Sequence, residues 1–212
     1  MAHTPRDSEA EVLEQRFWAD VRAWGEAAAS ERDEREQELW ARWGVRRAVL
    51  FTDLSGFSRT VAAHGIAHFL ELIRRKRALL DEMVAAHRGR AIKREADSML
   101  VVFDAAADAV DCALAMQRAC QAANVGRARE EHLLLCVGVA WGEVLEVGTH
   151  DVWGSVVNAA SVLGEDTARA HEILCTDELR GALGADCAQR FVETELVFSV
   201  APVVWRLVHE HG

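Results

Sequence analysis

Proline is almost missing from this 212-residue chain, which has two, and no low-complexity tract accompanies them. That excludes a proline-rich linker and gives no sign of a disordered segment. Positive charge is also in deficit. There are 24 Lys and Arg against 34 Asp and Glu, a formal charge of −10. A chain this acidic repels a nucleic-acid backbone, so a DNA- or RNA-binding module is not expected. No apolar run approaches the roughly 20 residues that span a bilayer. The opening MAHTPRDSEAEV has no apolar core of a signal peptide. A soluble cytoplasmic protein with no membrane span is therefore expected. Cysteine is sparse and scattered: Cys112, Cys120, Cys136, Cys175 and Cys187 are odd in number and contain no CxxC pair. They read as reduced thiols in apolar surroundings rather than as a disulfide framework.

What is present is enough apolar residue, 50% of the chain, for one ordinary domain with an appendage. Residues 8–44 are rich in Glu, Arg, Ala and Trp. Leu13, Phe17, Val21 and Trp24 recur at helical spacing, and Leu39, Trp40 and Trp43 form a second apolar cluster. One or two amphipathic helices ending near Gly44 are predicted, either packed on their own domain or serving dimerisation or signal transmission. The expected division is a helical segment over 1–45 and a catalytic-type domain over 46–212.

The pattern changes at Arg47. Ala48-Val49-Leu50-Phe51 predicts a buried strand ending in Thr52-Asp53-Leu54-Ser55-Gly56-Phe57. A helix is predicted from Ser58 to about His87, with Phe69, Leu72, Ile73, Leu79, Leu80 and Met83 on its apolar side and the Arg74-Arg75-Lys76-Arg77 run on its solvated face. Ala91-Ile92 and Met99 to Phe103 predict two strands joined by Lys93 to Ser98. A helix from Ala105 to about Ala123 follows, then a strand from Leu133 to Val139 with Gly142 to Val147 as its hairpin partner. The order strand, helix, strand, strand, helix, strand is the split βαβ arrangement of an α+β, ferredoxin-like fold. In such a sheet the third strand lies between the first and second. The end of the first strand then meets the start of the third, which brings Asp53 and Asp97 together on one rim.

Two carboxylates at adjacent strand ends suit a hard divalent cation, which takes oxygen ligands and shares them with substrate phosphates. Two such ions clamp the attacking and leaving oxygens of a phosphoryl displacement. The N–H groups of the Ser55-Gly56-Phe57 turn, entering a helix, suit a polyphosphate. Gly56 permits the close approach.

Four ordered segments carry a family resemblance. Phe51 to Phe57 is similar to the first metal-site signature of class III adenylate and guanylate cyclases. Lys93 to Phe103 resembles their second signature, Gly138 to Val144 the strand–turn segment after it, and Asp151 to Ser161 the dimer-interface helix motif. The resemblance covers about residues 46–208 and implies the βαββαβ cyclase core with a C-terminal extension. It implies that Asp53 and Asp97, with Leu54, bind two Mg²⁺ or Mn²⁺ ions per site. It implies that Lys93 and Asp151 read the purine and that Asn158 orients the ribose. Lys93 can donate to a ring nitrogen and Asp151 can accept from an exocyclic amine, the pattern of adenine. The expected activity is that of a lyase converting ATP to 3′,5′-cyclic AMP and pyrophosphate. The base- and ribose-reading groups are expected to face the metal pair of a second copy, so that a homodimer makes two sites.

The chain departs from the family at the cations. Val162 stands where active members carry arginine, four residues after Asn158. The late segment Leu196-Val197-Phe198-Ser199 lacks the usual lysine, and Ala96 replaces the glycine before Asp97. Arg59, Arg94 and Arg169 are candidates to supply charge from another direction. A degenerate module that binds nucleotide or only dimerises, a cyclase acting on a pyrimidine nucleotide, and sensing by a separate regulatory protein stay open at this point.

Overall fold

The computed structural model describes residues 5–184 and 190–209, with side chains at all of these except 5–8, 57–59 and 190. Cys187 lies outside the described residues. Eight strands form one mixed sheet with helices on both faces. Its first half is β1 (Gly44–Leu54), β2 (Arg90–Glu95), β3 (Ser98–Phe103) and β4 (Leu135–Val147), in the order β2-β3-β1-β4. β3 is antiparallel to both β1 and β2, as the split βαβ reading requires. A short β5 (Asp151–Trp153) pairs with the far end of β4. β6 (Ile173–Thr176) then adds parallel to β4, and β8 (Val204–Val208) and β7 (Arg190–Glu193) extend the sheet antiparallel.

The helices follow from the apolar pattern. α4 (Ile66–Ala86) and α5 (Ala106–Asn124) cover one face, where Leu50, Val101, Val137 and Val139 meet Phe69, Leu80, Ala113 and Met116. α6 (Ser155–Ser161), continued by a wider helical turn over Val162–Thr167, covers the other, where Val49, Leu100 and Ala140 meet Ala159 and Ala160. α7 (Asp177–Ala182) completes the C-terminal half. The two faces alternate along each strand, so Val49 and Leu50 go to different cores. Cys112, Cys120, Cys136 and Cys175 are free and buried, as their apolar surroundings predict.

Several readings of the sequence need correction. The predicted hairpin at Gly142 does not form: β4 is one continuous strand, paired with β1 from Gly44↔Leu145 to Leu54↔Leu135. Gly142, which opened the predicted hairpin partner, and Gly138 within the predicted strand are both in-strand sites of close approach. A Cβ on Gly138 would lie 2.2 Å from the Ala160 carbonyl oxygen, and one on Gly142 2.7 Å from Val156. The single helix predicted after Gly56 is two, α3 (Phe57–His64) and α4, because Gly65 takes φ +82 between them. The Arg74–Arg77 run is not a solvated face throughout, since Lys76 is 2% exposed.

At the N-terminus, α1 (Pro5–Glu26) and α2 (Arg32–Trp43) fold against each other. Asp20 accepts hydrogen bonds from both Arg42 and Trp43 Nε1 at 2.8 Å. Phe17 and Trp43 are buried with Val147 of β4, flanked by Leu13, Val21 and Leu39. Trp24, grouped with them by spacing, is instead exposed, with the Arg32 guanidinium 5.4 Å above its ring.

The β2–β3 turn carries a local strain. Glu95 pairs with Ser98, leaving Ala96 and Asp97 as the two turn residues, and Ala96 takes φ +45. A left-handed conformation costs a non-glycine residue about 1–2 kcal/mol. Glycine restores part of that cost to the unfolded chain. Ala96→Gly is therefore expected to stabilise the protein by about 0.5–1 kcal/mol, read as a higher urea midpoint at unchanged slope.

Candidate active site

Thr52 pairs with Met99, so Asp53 emerges at the rim one step before the turn that holds Asp97. Both are half-buried. Burial is the main cause that pushes the Asp53 carboxyl up, from 3.8 to about 7, and the Asp97 charge is the second. Glu165 acts in the same direction, while the Leu54 N–H and the Lys76 ammonium oppose it. Two half-buried carboxylates side by side favour a bound cation. The donor set fits a hard divalent cation. Leu54 has a buried side chain, so only its main-chain carbonyl could join such a set. No cluster of three or more His, Cys, Asp or Glu side chains suited to a metal occurs among the described residues. Two carboxylates alone leave most of an ion's coordination to water and to ligand oxygens.

The Asp53 shift has a consequence for stability. In the unfolded chain this carboxyl loses its proton near 3.8, in the folded chain only near 7. Across that interval the folded state holds the extra proton, so this group makes stability fall as pH rises from about 4 to about 7. Asp53→Asn removes the term. Thermal melts of the metal-free variant are expected to lose less stability than the parent over this interval, with the two curves diverging as pH rises.

Lys76 was misread from the sequence. α4 buries Phe69, Leu72, Ile73, Lys76, Leu80 and Val84, spacings of three and four throughout. Lys76 thus sits on the apolar stripe, and its ammonium donates to the Asp97 carbonyl oxygen. Burial pulls its pKa down to about 8, and Asp53 and then Asp97 are the leading charges that oppose the fall. Its neighbours do other work: Arg75 donates to the Glu131 carbonyl oxygen at 3.0 Å and Arg77 to that of Ala96 at 3.2 Å. The signal was available in the helical period of the buried positions.

Lys93 and Asp151 come together. The Lys93 ammonium is 3.0 Å from Asp151 Oδ1, across β2 and β5. Lys93 pairs with Leu100 in register, which puts it on the α6 face of the sheet with Val49 and Leu100. Its ammonium also lies 5.4 Å from the centre of the Trp153 ring. Trp153 is 40% exposed and meets Trp18 of α1, itself 44% exposed, edge to face at 5.8 Å. The N-terminal helix therefore reaches this pair through two tryptophans, a contact no motif announced.

The remaining candidates are less gathered. Ser55 donates its N–H to the Leu134 carbonyl oxygen, and Gly56 takes φ +94 before α3. Phe57 opens that helix, and its side chain, like that of Arg59, is outside the described residues. Asn158 is exposed on α6, while Ala159 and Ala160 pack inward. Val162 is half-buried at the end of α6. Phe198 and Ala201 close a tight turn, with Leu196 and Val197 exposed before it. Arg94 does not stand with the carboxylates: it bonds Asp81 at 2.8 Å, on the α4 side of the sheet. Arg169 is exposed, and its main-chain N–H bonds Glu172.

The family model of the adenylate and guanylate cyclase catalytic domain matches residues 46–197. A Mycobacterium tuberculosis adenylate cyclase is 32% identical over 156 residues, 68% of this chain and 34% of its own length. A Rhizobium meliloti protein provisionally named adenylate cyclase 3 is 36% identical over 124 residues, 57% of this chain and 21% of its own length. The chain thus spans about a fifth to a third of these relatives. Among solved structures, an adenylate/guanylate cyclase/hydrolase from Silicibacter pomeroyi superposes with a TM-score of 0.65 at 26% identity, covering 79% of this chain and 99% of that one. The adenylyl cyclase CyaB from P. aeruginosa gives 0.67 at 20% identity, covering 79% and 96%; at that identity the likeness is one of fold.

Proposed function

This chain belongs to the class III adenylate and guanylate cyclase family, and from that premise we propose that it closes ATP to 3′,5′-cyclic AMP and pyrophosphate. The observation that carries the proposal is the convergence of two half-buried carboxylates, Asp53 at the end of β1 and Asp97 in the β2–β3 turn, at one sheet rim. In the reaction the ribose 3′-oxygen bonds to the α-phosphorus, its proton leaves, and the bond to pyrophosphate breaks. Mg²⁺ or Mn²⁺, two per site, would be held by Asp53, Asp97 and the Leu54 carbonyl, and when bound supplies the positive charge that neutralises the phosphates and activates the hydroxyl.

The chain's own residues do the rest. In the Ser55-Gly56-Phe57 turn the N–H groups of Gly56 and Phe57 are offered to phosphate oxygens, since that of Ser55 is bonded to the Leu134 carbonyl. Lys93 donates to adenine N1 and Asp151 accepts from the exocyclic amine. Their mutual ion pair in the free protein holds the two groups aligned until the base edge takes its place. Guanine presents the reverse polarity at these two positions and is disfavoured, because each side chain would face a group of its own kind and lose its partner. Asn158 orients the ribose from the exposed face of α6. A second copy of the chain covers this face, so that Lys93, Asp151 and Asn158 of one copy meet the carboxylates of the other. Exposed Trp153 and Trp18 are the kind of surface such a contact buries. We assign 1–45 as a helical segment, whose described part is α1 and α2, and 46–212 as the cyclase domain. No helix among the described residues is long and apolar enough to cross a membrane, and we place the domain in the cytoplasm, with regulatory input from a separate protein.

A second reading has its own support. Val162 and the lysine-free 196–199 segment leave no cation at two positions where the family neutralises phosphate charge, which favours a module that binds nucleotide without turning it over. Incubation with each of the four NTPs and Mn²⁺, with cyclic products read by mass, separates the readings. Cyclic AMP is the expected product. A cyclic pyrimidine product would refute the base assignment. Nucleotide binding with no cyclic product from any NTP would establish the second reading.

A further inference from the structure

The acid pair has a cation beneath it that the mechanism above does not use. Lys76 reaches it from α4, on the face of the sheet opposite α6, through a layer of Phe69, Leu72, Ile73 and Leu80. An ammonium in such a layer loses its hydration and stays only where opposite charge or strong acceptors replace it. Here the replacement is local. The amino group bonds the main-chain carbonyl oxygen of Asp97, and the opposing charges that act on it most strongly are Asp53 on β1 and Asp97 in the β2–β3 turn. The Cys120 thiol of α5 is also near, but burial pushes it up to about 12, so it brings no charge.

We propose that Lys76 is the resident counter-ion of the Asp53–Asp97 pair: it holds the two carboxylates together before metal arrives and weakens their hold on a divalent ion. This rests on the reading that the pair binds such ions. Two carboxylates alone present two negative charges, and with Lys76 below them they present one. The lysine keeps the rim assembled without a metal and anchors the strained turn that carries Asp97. The same charge repels an incoming divalent ion, and it repels that ion twice as strongly as a proton competing for the same oxygens. Removing it therefore favours the ion even where one carboxylate takes up a proton in its place.

The direction of the effect separates this role from a merely structural one. If Lys76 only braced the turn, its loss would loosen Asp97 and weaken metal binding. As a counter-ion, its loss tightens binding. The test is Mn²⁺ titration of the full chain at pH 7, with free Mn²⁺ read by electron paramagnetic resonance. Lys76→Met matches the length without the charge, and Lys76→Gln is a second neutral variant should the first fail to fold. Each is expected to bind Mn²⁺ on the order of tenfold more tightly than the parent, and Lys76→Arg to stay near it. Arg77→Met, which removes a half-buried cation whose bond to the same turn faces solvent, is expected to stay within about twofold, since charges facing solvent are screened. Neutral variants that bind Mn²⁺ no more tightly than the parent, while Asp53→Asn loses binding, overturn the counter-ion role alone. Equal binding by the parent and Asp53→Asn overturns the metal pair and the counter-ion with it.

Discussion

Asp53→Ala and Asp97→Ala are each expected to lower cyclic-product formation by about 10³-fold or more, with the fold intact. The size follows from what the carboxylates are asked to do. A single preorganised charge-stabilising donor is worth about 10²–10³ in rate, and loss of a metal ligand removes both the charge and the activation of the hydroxyl. The two variants are expected to differ in stability. Asp53 is a carboxylate held against its preference, pushed up to about 7 by burial and by its neighbour. Its removal relieves the metal-free protein near neutral pH. Asp97 also supplies the turn whose carbonyl accepts from Lys76, and that main-chain bond survives the loss of its side chain. Activity and melting temperature should thus move in opposite directions for Asp53. A variant that keeps near-parent turnover would remove the proposed role outright.

Val162→Arg is expected to raise turnover by about 10²–10³-fold. Val162 lies one helical turn past Asn158, so their side chains share a face of α6. Its backbone is helical, with φ −56, and its carbonyl accepts from Thr167 Oγ1 at 2.7 Å, so an arginine enters without a change of backbone. The aliphatic stem can lie where the valine lies, and the guanidinium can reach past the exposed Asn158. A guanidinium supplied to a phosphoryl transition state is worth about 10³–10⁵ where it is well placed; the lower figure allows for a site not shaped around it. The gain should appear in kcat, with KM for nucleotide little changed, because the charge it meets develops during the reaction. Unchanged turnover in a folded variant would mean that the missing cation is not what limits the protein, and would favour the non-catalytic reading.

Much of the site was legible in the chain. Asp53 and Asp97 could be brought together from the order of strands alone, because a split βαβ sheet leaves β1 and β3 as neighbours, and Thr52↔Met99 is that neighbour relation made explicit. The contact between Lys93 and Asp151 was not: 58 positions separate them, and only likeness to a family linked them before the 3.0 Å pair was seen. Gly142 misled because glycine serves equally a turn and a place where a neighbour presses close, and only Val156 of α6 across the sheet tells which. Gly65 misled in the opposite way, as a glycine inside a helical pattern that does end the helix. Lys76 was hidden by its neighbours. In an Arg-Arg-Lys-Arg run every residue reads as surface, yet the spacing from Phe69 through Leu72, Ile73 and Leu80 already reserved its position for the interior.

The most direct test is a crystal of the protein with Mn²⁺ and a non-reactive ATP analogue, measured at the manganese edge. The account predicts anomalous peaks between the carboxyl groups of Asp53 and Asp97, against the triphosphate and above Lys76. Manganese bound elsewhere, or a nucleotide whose phosphates lie away from those two side chains, would contradict it.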